Sequence, residues 1–261
     1  MPRLAANLSW LYQEHPLEAR FEAAAADGFT AVEMLFPHEQ AGAAQFRAWL
    51  DQSGLACALI NAPAGDWAGG ERGLAALAGR EADFRAGVLQ GLEYAATIGC
   101  PRVHVVSGTL PRDADRAGAR LRWLDNMRWA VAQAEAAGLV LTIEPINPRD
   151  MPGYFLNRQD EALALIAEIG SIALRLQFDA YHCHIVEGYV PAHAQRAFEL
   201  GVLEHVQVAG VPSRHEPMHD EYEALFSYLD GVGYAGFVGC EYKPRSATSE
   251  GLGWARAWLT H

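Results

Sequence analysis

The chain has 261 residues, of which 51% are hydrophobic and 20% are charged, an ordinary balance for a globular protein with a large buried core. This composition excludes a disordered chain, a fibre and a disulfide-stapled miniprotein. The 32 acidic residues outnumber the 20 basic ones and give a net charge of −12, so nucleic acid and anionic membranes are poor partners. A (β/α)8 barrel needs roughly 250 residues. We therefore expect one domain over residues 1–261.

No apolar run of about 20 residues offers a membrane span. Residues 4–12 are too short and too interrupted by polar side chains to form the core of a signal peptide. These features predict a soluble, cytoplasmic protein. The cysteines are far apart and form no C-x-x-C pair, which argues against a zinc knuckle or a redox dithiol.

Short β-type runs alternate with longer helical patterns along the whole chain. Strands are predicted over residues 3–8, 29–36, 55–60, 102–106, 139–143, 173–178, 203–208 and 237–240. Helices are predicted over residues 17–26, 43–52, 81–98, 114–137, 159–169, 192–200, 221–229 and 249–258. Several helices are followed by a glycine, such as Gly99 and Gly138, which is the residue preferred just after a helix end.

Eight strands, each followed by a helix, predict an α/β fold of the (β/α)8 TIM-barrel type. Strands separated by helices pair in parallel through crossover connections, and eight such units close most economically into a barrel. A doubly wound open sheet is the alternative, but no glycine-rich nucleotide-binding motif follows a strand. The longest irregular stretch covers residues 61–79, and a loop of that length in a compact domain is usually functional or disordered.

Four successive predicted strands, the fifth to the eighth, end in oxygen-bearing side chains: Glu144, Asp179, Gln207 and Glu241. Active sites of parallel barrels form at these strand ends. Any one such residue could be a helix cap or an ion-pair partner, but four that converge would be costly to bury without a cation. Oxygen ligands suit Mg²⁺ or Mn²⁺, and they make Zn²⁺ less favoured.

Seven segments of the sequence resemble the hydroxypyruvate isomerase family, which belongs to the xylose isomerase-like TIM barrels. They are ANLS at 6–9, VEMLFP at 32–37, PAGDWAGGERG at 63–73, IEPIN at 143–147, FDAYH at 178–182, HVQVA at 205–209 and GCEYKP at 239–244. The C-terminal part is also similar to the sister group of 2-oxo-tetronate isomerases, which act on a four-carbon homologue.

The resemblance implies that Glu144, Asp179, Gln207 and Glu241 are the metal ligands and that Glu144 and Glu241 are the two catalytic glutamates. It implies a metal-dependent isomerase that interconverts hydroxypyruvate and tartronate semialdehyde through a cis-enediolate. One glutamate would remove a proton from one carbon and the other would return a proton at the neighbouring carbon. The divalent metal would stabilise the enediolate charge.

Four further residues are candidates for binding the substrate or supporting the site. The resemblance implies that His182 and Arg214 contact the substrate and that the loop over residues 61–79 covers the pocket. Arg214 is a candidate for bidentate capture of a carboxylate, and Arg72 is a weaker candidate for the same role. Lys243 is expected to orient Glu241 as an indirect partner.

Several alternatives stay open at this stage. The chain could be a 2-oxo-tetronate isomerase or a related sugar-acid isomerase or epimerase, and two departures from the family pattern, Gly210 and a shortened segment over residues 218–222, bear on substrate length. A metal-dependent endonuclease on the same barrel and a non-catalytic sugar-acid binding protein are alternatives of other classes. The expected partner is a small keto or hydroxy acid. The choice between Mg²⁺ and Mn²⁺ and the oligomeric state, including a homo-oligomer, are left open.

Overall fold

A computed structural model describes residues 2–218 and 220–259 of the chain. Over these residues the strands are β1 (Arg3–Asn7), β2 (Ala31–Met34), β3 (Ala56–Asn61), β4 (Arg102–His104), β5 (Val140–Ile143), β6 (Leu174–Asp179), β7 (Leu203–Val208) and β8 (Phe237–Cys240). The α-helices are α1 (Leu17–Ala26), α2 (Ala43–Ser53), α3 (Glu81–Ile98), α4 (Arg116–Ala137), α5 (Gln159–Ile169), α6 (Ala180–Val186), α7 (Val190–Glu199), α8 (Glu223–Gly231) and α9 (Thr248–Gly251).

The strands form a closed parallel barrel in sequence order. The barrel closes because β8 pairs with β1, with Leu4 opposite Val238. This closure confirms the predicted TIM barrel and excludes the open-sheet alternative. In the pairing of β6 with β7, Asp179 lies opposite Gln207, so two of the predicted ligands stand at the same level of the barrel.

The helices pack around the barrel, and seven of the eight predicted helices begin and end within two residues of their predicted limits. The limits of α1, α3 and α5 agree with the predicted ranges. Gly99 after α3 has φ of 72°, a left-handed backbone conformation that glycine adopts without a steric penalty. The buried face of α3 includes Phe84, Val88 and Leu92.

The strands β2 and β4 are shorter than predicted, and two other parts of the chain differ from the predicted elements. The first is α6, a seven-residue helix that begins directly after β6, where the sequence predicted a loop; the Asp179 side chain caps it by accepting a hydrogen bond from the Tyr181 amide at 2.8 Å. The second is the predicted helix over residues 249–258, which is broken into the short α9 and a 3₁₀ turn at Leu252–Trp254. Glycines at 251 and 253 lower the helix propensity of that segment.

The long segment between β3 and α3 is not a detached loop. Leu74, Ala75 and Ala76 are buried in the core, and Gly73 forms a bridge to Ser107. A Cβ atom at Gly73 would lie 2.2 Å from the Val106 carbonyl oxygen, so the close approach of these two backbones requires glycine.

The cysteines are all buried free thiols. Among the described residues, none of the helices has the length and apolarity needed to cross a membrane.

Candidate active site

A cavity of about 590 Å³ opens at the C-terminal ends of the strands. It is lined by residues from several strand ends and loops: Trp10, Leu35, Asn61, Trp67, Arg72, His104, Val106, Glu144, Ile146, Arg149, Asp150, Met151, Tyr181, His182, Pro212, Ser213, Arg214, Glu241 and Lys243. This wall includes Glu144, Glu241 and the four residues that the sequence suggested for substrate binding or support. Asp179 and Gln207 lie outside that lining and are buried in the barrel.

Glu144, Asp179 and His182 form a compact cluster at this cavity. Glu144 follows β5 directly, Asp179 is the last residue of β6, and His182 lies in the first turn of α6. Their ligand atoms all lie within 4.8 Å of one another, with His182 Nε2 at 3.5 Å from Asp179 Oδ2 and at 3.8 Å from Glu144 Oε1. The His182 side chain is buried and lies in a helix, so it is not solvated.

Arg214 connects this cluster to Glu241, which follows β8. Its Nη2 atom lies 3.0 Å from Glu241 Oε2 and 3.4 Å from Asp179 Oδ2, and its Nη1 atom lies 3.2 Å from His182 Nε2. The Arg214 backbone has φ of 55°, in the left-handed region. It belongs to a tight turn in which Gly210 accepts a hydrogen bond from the Arg214 amide at 2.8 Å.

Burial and charge shift the pKa values of these groups in opposite directions. Burial, reinforced by repulsion from Asp179 and Glu241, raises the pKa of Glu144. Burial also raises the pKa of Glu241 to about 8, although the Arg214 guanidinium opposes that rise. Burial lowers the pKa of His182 to about 4, so the imidazole is neutral at pH 7. Burial alone would lower the pKa of Arg214, but the surrounding carboxylates outweigh it and keep the guanidinium charged.

Gln207 takes part in a buried chain of polar side chains below the cavity. Its Oε1 accepts a hydrogen bond from Gln177 Nε2 at 2.7 Å, and its Nε2 donates to Glu33 Oε1 at 2.8 Å. His205 Nε2 contacts the other oxygen of Glu33 at 2.6 Å, and Asn7 Nδ2 donates to Glu33 Oε1 at 2.9 Å. The amide orientation of Gln207 is therefore fixed from both sides.

Arg72 and Lys243, the two remaining residues predicted at the site, differ in their side-chain contacts. Arg72 donates from Nη1 to the carbonyl oxygens of Trp67 at 2.9 Å and Glu71 at 2.7 Å. Lys243 is exposed at the cavity wall, and its backbone amide donates to the Arg214 carbonyl at 2.8 Å. Within the described part of the chain, no ion pair joins Lys243 to Glu241, so the expected support of Glu241 by this ammonium stays a prediction.

Sequence reasoning missed several residues that line or support the site. His104 and Asn61 are the last residues of β4 and β3. The strand-end rule that selected Glu144 applies equally to Asn61, which directly follows the strand predicted over residues 55–60, and it would have selected His104 had β4 been ended at residue 104. Glu33 is a carboxylate in the middle of the otherwise apolar strand β2, which is itself a signal of an internal polar contact. Tyr181 is buried beside His182 but has no signal of its own in the sequence.

The residues at this site fit a divalent cation. Glu144 Oε1 is buried and has no hydrogen-bond partner among the described residues, and the same holds for His104 Nε2, which lies 3.7 Å from Glu144 Oε2. A buried carboxylate oxygen without a donor is costly unless a positive charge faces it. Carboxylates and imidazoles are both common ligands of divalent metal ions in proteins. Glu144, Asp179 and His182 are therefore the side chains placed to hold such an ion.

The fold and the site define an enzyme of the xylose isomerase-like TIM barrel family. The family model with this description matches residues 21–259. The chain belongs to this family. The curated relatives described next are isomerases, and this chain is an isomerase as well.

Two curated relatives and one solved structure are similar to the chain over nearly its whole length. The chain is 56% identical to the 2-oxo-tetronate isomerase of Cupriavidus necator over 261 residues, which covers 99% of each chain. It is 38% identical to the hydroxypyruvate isomerase of Escherichia coli, covering 97% of this chain and 98% of that protein. A solved structure from Brucella melitensis, described as an AP endonuclease of family 2, has a TM-score of 0.94 and 41% identity and covers 100% of both chains.

Proposed function

We propose that this enzyme isomerises a short 2-oxo acid that carries a hydroxyl group on the neighbouring carbon, with 2-oxo-tetronate preferred over hydroxypyruvate. One observation carries the proposal: Glu144 and Glu241, two buried glutamates from the ends of β5 and β8, line the same cavity. Two carboxyl groups around one small molecule are what proton transfer between adjacent carbons requires. The 56% identity to a 2-oxo-tetronate isomerase favours the four-carbon acid.

The glutamates divide the proton transfer between them. One glutamate takes the C3 proton, which lies next to the C2 carbonyl, and the other supplies a proton to C2 from across the plane of the enediolate. The hydroxyl proton passes from O3 to O2, so 2-oxo-tetronate becomes the 3-oxo acid. The same transfer converts hydroxypyruvate into tartronate semialdehyde.

The proposed ion is Mg²⁺ or Mn²⁺. It would be held by Glu144 and Asp179, with His182 beside them, and by Gln207 of β7 and Glu241 after β8. When bound, such an ion supplies Lewis acidity, which increases the acidity of a C–H bond next to a carbonyl. The chain's own contribution is to fix the acids in place. Arg214 holds Asp179 and Glu241 in place, and the hydrogen bonds from Gln177 and to Glu33 hold the Gln207 amide.

A side-by-side turnover assay tests the proposal. The wild-type enzyme is supplied with 2-oxo-tetronate or hydroxypyruvate, after exhaustive chelation and again with added Mn²⁺. We expect metal-dependent conversion of both acids, with the higher kcat/KM for the four-carbon acid. The Glu241→Gln variant should fold normally and lose turnover. Near-normal turnover in that variant, or equal rates without metal, would contradict the mechanism.

The Brucella melitensis structure makes an endonuclease the second candidate, because its description names that activity. The net charge of −12 opposes it, since a DNA backbone is repelled by an acidic surface. A duplex that contains one abasic site, incubated with the Mn²⁺-supplied enzyme, distinguishes the two candidates. We expect no cleavage under conditions in which the acids are isomerised.

A further inference from the structure

The wall of the cavity carries four cationic side chains, and they differ in whether they already have an acidic partner. Arg214 faces Asp179 and Glu241, as described above. Arg149 pairs with Asp150 at 3.0 Å. Among residues 2–218 and 220–259, no carboxylate lies within ion-pair distance of Arg72 or Lys243.

Arg72 is held by more side-chain contacts than Lys243. Its guanidinium carbon lies 4.2 Å from the centre of the Trp67 ring, and that ring lies 4.8 Å from the Phe36 ring. Both N–H groups of Nη1 are taken up by the carbonyl oxygens of Trp67 and Glu71. The Nε and Nη2 atoms have no hydrogen-bond partner among the described residues. The side chain is therefore anchored along one edge and stacked on one face, with its other edge unpaired.

We infer that Arg72 binds the carboxylate of the substrate through this Nε–Nη2 edge, an inference that rests on the proposed function. Two parallel N–H groups match the two oxygens of a carboxylate. Because Trp67 and the loop carbonyls already fix the guanidinium, little side-chain entropy is lost when the acid binds. A neutral sugar of the same length would leave that edge unpaired. The loop between β3 and α3 thereby selects acids over neutral ketoses.

Arg214 is less suited to this role in the described structure. Its Nε lies 3.3 Å from the Glu241 carbonyl oxygen, its Nη1 faces His182, and its Nη2 faces both Glu241 and Asp179. Each of its three nitrogens thus has a protein partner. Binding a substrate carboxylate would require it to give up contacts with two buried acids, which would leave those acids without their cation.

Binding of glycerate, a three-carbon acid that the proposed reaction cannot convert, tests the inference without turnover. Calorimetry is performed on the Mn²⁺-supplied enzyme and on Arg72→Met, Arg72→Lys and Arg85→Met. Arg85 is the matched control because it is exposed and its guanidinium lies 5.1 Å from the centre of the Trp129 ring, outside the cavity. Thermal unfolding of each variant reports whether the fold is intact.

We expect Arg72→Met to weaken glycerate binding on the order of 100-fold, as the loss of charged hydrogen bonds predicts. The glycerate affinity of Arg72→Lys should lie between those of Arg72→Met and the wild type. The affinity of Arg85→Met should equal that of the wild type. In turnover, Arg72→Met should raise KM for 2-oxo-tetronate far more than it lowers kcat. Wild-type affinity for glycerate in Arg72→Met, or no glycerate binding by the wild type, would overturn the inference. Arg72-dependent binding without isomerisation would support it and refute only the proposed function.

Discussion

Arg214 Nη2 lies 3.0 Å from Glu241 Oε2, so a cation from the β7–α8 connection directly faces an acid from the end of β8. The same nitrogen lies 3.4 Å from Asp179 at the end of β6. These acids are buried, and an acid in that environment is costly without a nearby positive charge. Arg214 therefore offsets part of the repulsion between acids from two different strands.

Removal of this cation should destabilise the metal-free enzyme. We expect Arg214→Met to lower the free energy of unfolding by about 3–5 kcal/mol, because it leaves two buried carboxylates without their partner. Added Mn²⁺ should restore part of the loss by mass action on the folded state. Urea denaturation with and without Mn²⁺ measures both effects. Unchanged stability in the metal-free variant would show that Arg214 has no such role.

The turn that carries Arg214 depends on Gly210. A Cβ atom there would lie 2.4 Å from the Glu216 carbonyl oxygen, so Gly210→Ala must displace the turn. We expect kcat/KM to fall at least about 10-fold, since small misplacement of site residues is costly. Gly253→Ala is the control, because no described atom lies within 4 Å of the added Cβ. Steady-state kinetics that are the same for both variants would contradict this account.

Glu33 fills a space that Gly239 leaves open. A Cβ atom at Gly239 would lie 2.3 Å from Glu33 Oε2, so Gly239→Ala would push this carboxylate away from His205 and Gln207. We expect a loss of about 1–3 kcal/mol in the free energy of unfolding from overpacking. Gly231→Ala at the end of α8 has no described atom within 4 Å and should change stability little. Chemical denaturation of the two variants checks the difference.

Metal binding can be measured apart from catalysis. We expect Glu144→Gln to weaken Mn²⁺ binding at least about 10-fold in calorimetry, because it removes a negative charge from the buried cluster. Glu168→Gln, a surface residue that pairs with Arg128, should bind Mn²⁺ like the wild type. Equal Mn²⁺ affinity in Glu144→Gln and Glu168→Gln would place the ion elsewhere.

The barrel could be predicted from the sequence because its signals are local. The limits of α3 follow from an apolar periodicity that ends at Gly99, and the ends of β5 and β8 follow from apolar runs before Glu144 and Glu241. The helix α6 could not be predicted, because its seven residues are too few for a periodic pattern.

The site could be predicted only in part, because its contacts join distant residues. His205 and Glu33 are 172 positions apart, and no local pattern pairs them. The position of Glu144 at a strand end identified it as a candidate. No comparable signal in the sequence shows that each nitrogen of the Arg214 side chain faces a protein group. That arrangement depends on a turn with a left-handed residue, on the ends of β6 and β8, and on the first turn of α6.

Isomerisation of 2-oxo-tetronate in D₂O by the Mn²⁺-supplied enzyme tests the central claim most directly. If Glu144 and Glu241 divide the proton transfer, the hydrogen that arrives at C2 comes from a carboxyl group that has exchanged with solvent. Each molecule of the 3-oxo acid should then carry one deuterium at C2, as read by nuclear magnetic resonance. Product that retains the substrate's own C3 hydrogen at C2, with no deuterium, would contradict transfer by two glutamates.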